Sequence, residues 1–423
     1  MAEDSLLPDE LLHHLMAVGQ VDVLVGIPTL NNAGTIADVV RAVHRAFSRY
    51  FPRDRTVLVN SDGGSTDDTP AIVRDASVEE ADTLTVSHRL RTTHRISTPY
   101  HGVPGKGSAL RQILAAADLT QARAVAVLDP EVTSVTPEWI AALIGPVRAD
   151  QYDFVMPIYN RHPLEAMLVT QIVRPLLGAI YGWRVREPLA AEFGGSGRFV
   201  TWSLEQDVWG SELARYGIDV WITGAALSGG FRCCQAPLGP RVQTSTHTPG
   251  FQDVFQQVVG SAFACVETQA GYWVTRQTAE PLPIVGPSRG EASRPAMVDG
   301  SRLTDAFRAD IRALRAVLGT ILSDDTMAAL DRLSSSAGPL DFPDDLWGTI
   351  VYAFLLAYHR AVMRRDHITQ ALAPLYLGRT GAFLLRHADA DPPAVEAALE
   401  SLCSRFEQLK PALVEHWNQP GQR

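Results

Sequence analysis

Two carboxylates, Asp129 and Glu131, stand either side of Pro130, directly after the apolar run 124–128. Acids with this spacing at a strand end can grip a hard divalent cation together with phosphate oxygens. An isolated acidic pair is more often a solvated surface feature, and its place after an apolar run is what gives this one weight. Asp62-Gly63-Gly64-Ser65-Thr66-Asp67 follows another apolar run. Its glycines allow a tight turn, its serine can cap a helix, and its first carboxylate can accept from a base N–H or from ribose hydroxyls. The plain alternative is a capped turn from strand to helix.

Pro104-Gly105-Lys106-Gly107-Ser108 opens a helical stretch. Flanking glycines let backbone N–H groups approach a phosphate, a helix N-terminus favours an anion, and Lys106 adds a point charge. Gly194-Gly195-Ser196-Gly197-Arg198 reads as a second anion-binding loop, since an arginine fork grips a carboxylate or phosphate in bidentate fashion. A flexible surface loop is the competing reading. Asp207-Val208-Trp209-Gly210-Ser211-Glu212 can hold hydroxyl groups or simply start a helix capped by Asp207. His247 can complete the coordination of a metal already held by carboxylates, although a lone histidine is more often structural. No Walker A loop is present, and the turn IPTLNNAGT carries no GxGxxG fingerprint, which argues against a nicotinamide-dependent dehydrogenase.

The elements that must position these residues alternate. Residues 21–27, 56–59, 84–87 and 124–128 read as strands. Residues 35–50, 66–76, 108–117 and 138–147 read as helices with apolar positions three and four apart. Such alternation predicts a parallel α/β sheet whose strand C-termini carry the ligand-binding turns. Residues 164–181, 251–272, 302–318, 346–363 and 393–409 also read as helical. Pro, Gly and Ser concentrate in 277–300. The expected organisation is an N-terminal helix (1–20), an α/β domain (21–276), a linker or long loop (277–300) and a helical C-terminal domain (301–423). With 423 residues, 46% hydrophobic and 20% charged, the chain is ordinary for a globular protein of two domains.

A net charge of −10 argues against nucleic acid as a partner but leaves room for a local basic pocket. Residues 1–20 lack the basic start and long apolar core of a secretory signal. The most membrane-like stretch, 166–183, is broken by Gln171, Arg174 and Pro175. The expectation is a cytoplasmic protein without a membrane span. Cys233, Cys234, Cys265 and Cys403 show no metal-site spacing and read as free thiols.

Taken in order, the motifs of about residues 21–275 resemble the GT-A fold glycosyltransferases, in particular the retaining enzymes that make glucosyl-3-phosphoglycerate, glucosylglycerate and mannosylglycerate. The family's P-x-L-N matches Pro28-Thr29-Leu30-Asn31, its D-x-x-S-T-D turn Asp62 to Asp67, and its P-G-K-G loop Pro104 to Gly107. Its D-x-D motif falls on Asp129-Pro130-Glu131, its P-L-x-x-E segment on Pro188 to Glu192, and its W/Y-G-x-E/D element on Trp209 to Glu212. Glu131 stands in place of the second Asp, and Asn32 where many relatives carry an acid.

The resemblance implies a GT-A (Rossmann-like) domain followed by helices, and retaining transfer of glucose or mannose from a UDP- or GDP-linked sugar to D-glycerate or 3-phosphoglycerate. It implies donor contacts from Pro28, Leu30, Asn32, Asp62, Gly105, Lys106 and Asp129. Asp129, Glu131 and His247 would hold Mg2+ or Mn2+. Gly194, Gly195, Ser196, Gly197, Arg198 and Glu212 would hold the acceptor. Lys106, Glu212 and the Leu189 carbonyl would act in catalysis. A homo-oligomer is expected. A glycosyltransferase for another small or lipid acceptor, a sugar-phosphate nucleotidyltransferase and an inactive scaffold are the competing readings.

Overall fold

The computed structural model describes residues 9–77, 83–87, 106–189, 191–244, 250–276, 278–288, 298–336 and 338–419. The chain divides into two compact units, neither of them continuous in sequence. The first comprises Met1–Asn160, Leu189–Pro249 and Leu282–Ala292; the second comprises Arg161–Pro188, Gly250–Pro281 and Ser293–Arg423.

In the first unit the elements run α1 (Asp9–Val18), β1 (Val23–Thr29), α2 (Ile36–Tyr50), β2 (Thr56–Asp62), α3 (Thr69–Ser77), β3 (Thr83–Ser87), α4 (Lys106–Leu119), β4 (Ala124–Val127), α5 (Pro137–Arg148) and β5 (Phe154–Tyr159). They continue as β6 (Phe193–Ser196), α6 (Gly197–Leu204), α7 (Glu212–Tyr216), α8 (Ile218–Ser228) and β7 (Cys233–Gly239). The sheet order is β3-β2-β1-β4-β6-β5-β7. Among the described strands of this sheet, β6 alone runs antiparallel to its neighbours.

β1 is buried at every position, as an apolar run covered on both faces must be. Val23, Val25 and Ile27 face a core built with Val39, Val43 and Phe47 of α2 and with Trp139 and Leu143 of α5. On the other face α4 lies so close that a Cβ on Gly26 would stand 2.2 Å from Ile113 Cγ2. Burying each such Val, Leu, Ile or Phe contributes roughly 1.5–3 kcal/mol.

Register then decides which turns meet. Thr29 pairs with Asp62, Asp62 with Ser87, and Gly26 with Val127. Tyr159 pairs with Gly239 at the end of β5. The turns after β1, β2, β4, β5 and β7 therefore emerge at one end of the sheet, together with Glu192 at the start of the reversed β6.

Segment 277–300 is not all linker. Gln235 N donates to Pro283 O at 2.8 Å and Val285 N to Gln235 O at 2.8 Å, so these residues line the β7 edge.

In the second unit, segments 161–188 and 250–281, expected within the α/β domain, pack instead with the C-terminal helices. Residues 164–181, expected as one helix, hold a π-turn at Val169–Val173 followed by an α-helix over Arg174–Tyr181. Pro175 has no N–H for the carbonyl four residues back. That carbonyl, Gln171 O, accepts Trp347 Nε1 at 2.6 Å instead. Lys410 Nζ caps the last carbonyls of the same helix, reaching Ala179 O at 2.9 Å and Ile180 O at 3.0 Å. Among the described residues no helix is long and apolar enough to cross a membrane.

Candidate active site

The acidic turn after β4 is organised by its own backbone: Glu131 N donates to Asp129 Oδ1 at 2.9 Å. A short antiparallel bridge, Val132 to Gln243, lays segment 240–244 against it. Thr244 N donates to Glu131 O at 3.0 Å and Thr133 N to Val242 O at 2.9 Å. This bridge delivers Arg241. Its Nη2 donates to Asp129 Oδ2 at 3.1 Å, its Nε to Glu192 Oε1 at 3.3 Å, and its guanidinium lies 5.4 Å from the Tyr159 ring centre. Tyr159 OH donates to the other Glu192 oxygen.

Glu192 is wholly buried. Burial pushes its carboxyl up, Asp129 adds to that, and Arg241, Tyr159 and Lys106 pull against it; the net is a raised pKa. Lys106, on the first turn of α4, donates to Asp219 Oδ2 at 2.5 Å. Burial lowers the pKa of its ammonium, but Asp219, Asp129 and Glu192 together outweigh that and hold it above the ordinary value. A cation at a helix N-terminus is unfavourable by itself, and here these acids compensate it. Asp129, Glu192, Lys106, Asp219 and Arg241 thus form one electrostatic cluster at the strand ends. A cluster of this kind can bind a diphosphate and a cation and stabilise the charge of a departing phosphate.

Asp62, expected to contact the nucleoside, lies at the same end, and its carboxylate is engaged by neighbouring turn residues. One of its oxygens accepts from the Thr29 hydroxyl at 3.1 Å and the Ser65 hydroxyl at 2.6 Å. The other accepts from Gly64 N at 3.1 Å and Ser65 N at 2.9 Å. A carboxylate has about four acceptor sites, and this buried one spends them on its own turn. Pro28 lies in β1, half-buried Leu30 in the following turn, and buried Asn32 shapes that turn by accepting Leu30 N at 2.7 Å.

The expected acceptor loop is corrected most. Gly194, Gly195 and Ser196 are strand β6 itself, paired on both sides. The glycines are there for packing: a Cβ on Gly194 would stand 2.1 Å from Leu143 O, and one on Gly197 2.8 Å from Ala122 O. Ser196 caps α6, accepting Phe199 N at 3.2 Å. Because β6 is reversed, Ser196 pairs with Ala124 at the start of β4. Gly197 and Arg198 therefore sit at the far end of the sheet from Asp129, where Arg198 Nη2 binds Asp153 Oδ2 at 2.8 Å.

Glu212 is exposed on the first turn of α7, which Ser211 rather than Asp207 caps. The pattern W/Y-G-x-E/D occurs a second time, at Tyr216-Gly217-Ile218-Asp219, and it is the acid of this second copy that meets Lys106. That repeat was the signal available for finding Asp219. Leu189 is half-buried, three residues before Glu192. Gly105 and His247 lie outside the described residues. Among the described residues no three His, Cys, Asp or Glu side chains gather as a ready metal cage.

Residues 24–172 match the model of Glycosyl transferase family 2. The matched segment contains the acidic turn at 129–131, and the α/β unit that holds it, a mixed sheet with flanking helices, has a GT-A (Rossmann-like) fold. No curated protein matches the sequence. Solved structures with similar chains include glucosyl-3-phosphoglycerate synthase from Mycobacterium tuberculosis with Mg2+ and uridine-diphosphate, at 22% identity over 60% of this chain and 83% of that one, TM-score 0.43. The same enzyme with Mn2+, uridine-diphosphate and phosphoglyceric acid is 22% identical over 60% and 82%, TM-score 0.44. With Mn2+, uridine-diphosphate and glucosyl-3-phosphoglycerate it is 22% identical over 63% and 85%, TM-score 0.42.

Proposed function

We propose that the chain transfers glucose or mannose, with retention at the anomeric carbon, from a UDP- or GDP-linked sugar to D-glycerate or 3-phosphoglycerate. The observation that carries the reading is the Asp129–Glu131 turn at a strand C-terminus, with Arg241 bonded to Asp129 and Lys106 drawn by the same carboxylate. In the reaction the bond from the anomeric carbon to the diphosphate breaks, and an acceptor oxygen takes its place. The acceptor's proton leaves with the diphosphate.

Asp129 and Glu131 are hard oxygen donors, and one or two carboxylates plus substrate phosphates are the usual hold on Mg2+. They fit a divalent cation, Mg2+ or Mn2+, which when bound offsets charge on the leaving diphosphate. Lys106, oriented by Asp219, meets the same diphosphate. Arg241 takes over the anion-holding part expected of Arg198, because Arg241 and not Arg198 lies at this end of the sheet, on Asp129. Asp219 takes over the hydroxyl-holding part expected of Glu212. The turns at Leu30–Asn32 and Asp62–Ser65 shape the donor's nucleoside end through their backbones.

The test is a panel of UDP-glucose and GDP-mannose against D-glycerate and 3-phosphoglycerate, with Mg2+ or Mn2+, read by nucleoside diphosphate release and by the anomeric NMR coupling of the product. Lys106→Ala should retain the fold and lose on the order of 10²–10³ in kcat. Release of no nucleoside diphosphate with any pair, or of pyrophosphate instead, sinks the reading.

A further inference from the structure

The motif order offers His247 as the third cation ligand, yet the structure sets a different side chain against the acidic pair. Gln243 Nε2 donates to Glu131 Oε2 at 2.7 Å, and Gln243 Oε1 accepts Arg241 Nη1 at 2.6 Å. The backbone of Gln243 is pinned there. It forms the bridge to Val132, with Thr244 N to Glu131 O at 3.0 Å beyond it and Val242 N to Ser134 Oγ at 2.9 Å before it. Ser134 Oγ donates in turn to Pro240 O at 2.9 Å. The side chain is exposed to solvent.

Resting on the proposed transfer, we propose that Gln243 is a ligand of the divalent cation, through its carboxamide oxygen, and that this chain therefore holds the cation with oxygen alone: Asp129, Glu131 and Gln243. The step from the present geometry is small. The terminal torsion of a glutamine is broad and roughly two-fold, so half a turn exchanges the nitrogen that now faces Glu131 for the oxygen. That turn releases Arg241 Nη1, while Nη2 and Nε keep Asp129 and Glu192. A carboxamide oxygen is a hard, neutral donor of the kind Mg2+, Mn2+ and Ca2+ accept. Such a set lacks the imidazole that draws Co2+, Ni2+ and Zn2+. The chain should accordingly discriminate less in favour of those later metals than a site with a histidine ligand.

Binding of Mn2+ is measured directly, by the electron paramagnetic resonance signal of the free ion, with UDP or GDP present. Gln243→Ala should weaken Mn2+ binding on the order of 10–100-fold, the usual range for groups that hold or orient a metal ligand. Its melting temperature should not change. Gln243→His should restore affinity and shift preference from Mg2+ toward Co2+. His247→Ala should leave Mn2+ affinity unchanged. Wild-type affinity in Gln243→Ala, or loss of binding confined to His247→Ala, overturns the proposal while leaving the transferase reading intact. Absence of Mn2+ binding in the unmutated protein with either nucleotide overturns both.

Discussion

The sheet carries an acid–arginine cluster at each end, and the two are built differently. At the end where β5 and β7 begin, the Asp153 carboxylate accepts from Arg198 Nη2 at 2.8 Å, Arg232 Nε at 3.1 Å, Arg232 N at 3.0 Å and Ser196 Oγ at 3.3 Å. One acid meets two guanidinium groups and is saturated. At the other end Arg241 is shared between Asp129 and Glu192, Lys106 is drawn by three acids, and Glu192 sits buried with a raised pKa. Acids outnumber cations there, and the cluster is completed only by something positive or by a change of proton content. The first arrangement staples two strands and a helix; the second is the one that the proposed reaction uses. Arginine beside glycine, the feature that drew attention to Arg198, does not mark the acid-rich end, where Arg241 stands between Pro240 and Val242. Charge balance separates them.

The largest effect that can break this contrast is on chemistry. Asp129→Asn keeps the shape of the turn and removes the charge that faces Arg241 and, in the proposed reaction, the cation. Turnover should fall on the order of 10²–10³ or more, as when a charge-stabilising group is lost, with an unchanged circular dichroism spectrum. Near-normal kcat with saturating Mg2+ would mean that the acid-rich end is structural too. Next in size is an effect on folding. Gly194→Ala drives a methyl into Leu143 O, 2.1 Å away. Overpacking of this kind costs about 1–3 kcal/mol, so thermal denaturation should come several degrees earlier. A melting temperature equal to that of the unmutated protein would return Gly194 to the class of loop glycines.

Much of this architecture is legible in the sequence, and the part that is not has physical reasons. β1, α2, β2 and β4 announce themselves because each buries a periodic apolar set, such as Ile36, Val39, Val40, Val43 and Phe47. β6 does not: Phe193-Gly194-Gly195-Ser196 has the composition of a turn, and it becomes a strand only because β4 and β5 supply partners on both sides while α5 leaves no room for side chains. Reversal of that one strand moves Arg198 to the far end of the sheet, and no local pattern encodes it. The placement of Asp129 and Glu131 after a strand, and of Lys106 at the start of a helix, is readable from local pattern. Arg241, Glu192 and Asp219 act through contacts 49 to 113 residues apart in sequence.

The saturated end offers the smallest effects and the sharpest sign. Burial pushes the Asp153 carboxyl up, but hydrogen bonds from Arg198 and Arg232 outweigh it and hold the pKa at about 2, below the ordinary 3.8. A depressed carboxyl stabilises the fold above its unfolded value, and the contribution is lost as pH falls from about 4 through about 2. Its full size is about 2 kcal/mol, reduced because both guanidinium partners are well exposed. Asp153→Asn should remove that limb of the stability–pH curve and leave stability flat across it. Arg198→Ala should do less, since Arg232 and its backbone N–H remain on the carboxylate. Most of the cost would come from the lost stacking on Phe231, whose ring centre is 4.7 Å from the guanidinium. The acceptor KM of Arg198→Ala should equal that of the unmutated protein. A large rise in that KM at unchanged kcat would show that Arg198 touches substrate after all, and the division of labour between the two ends of the sheet would fall with it.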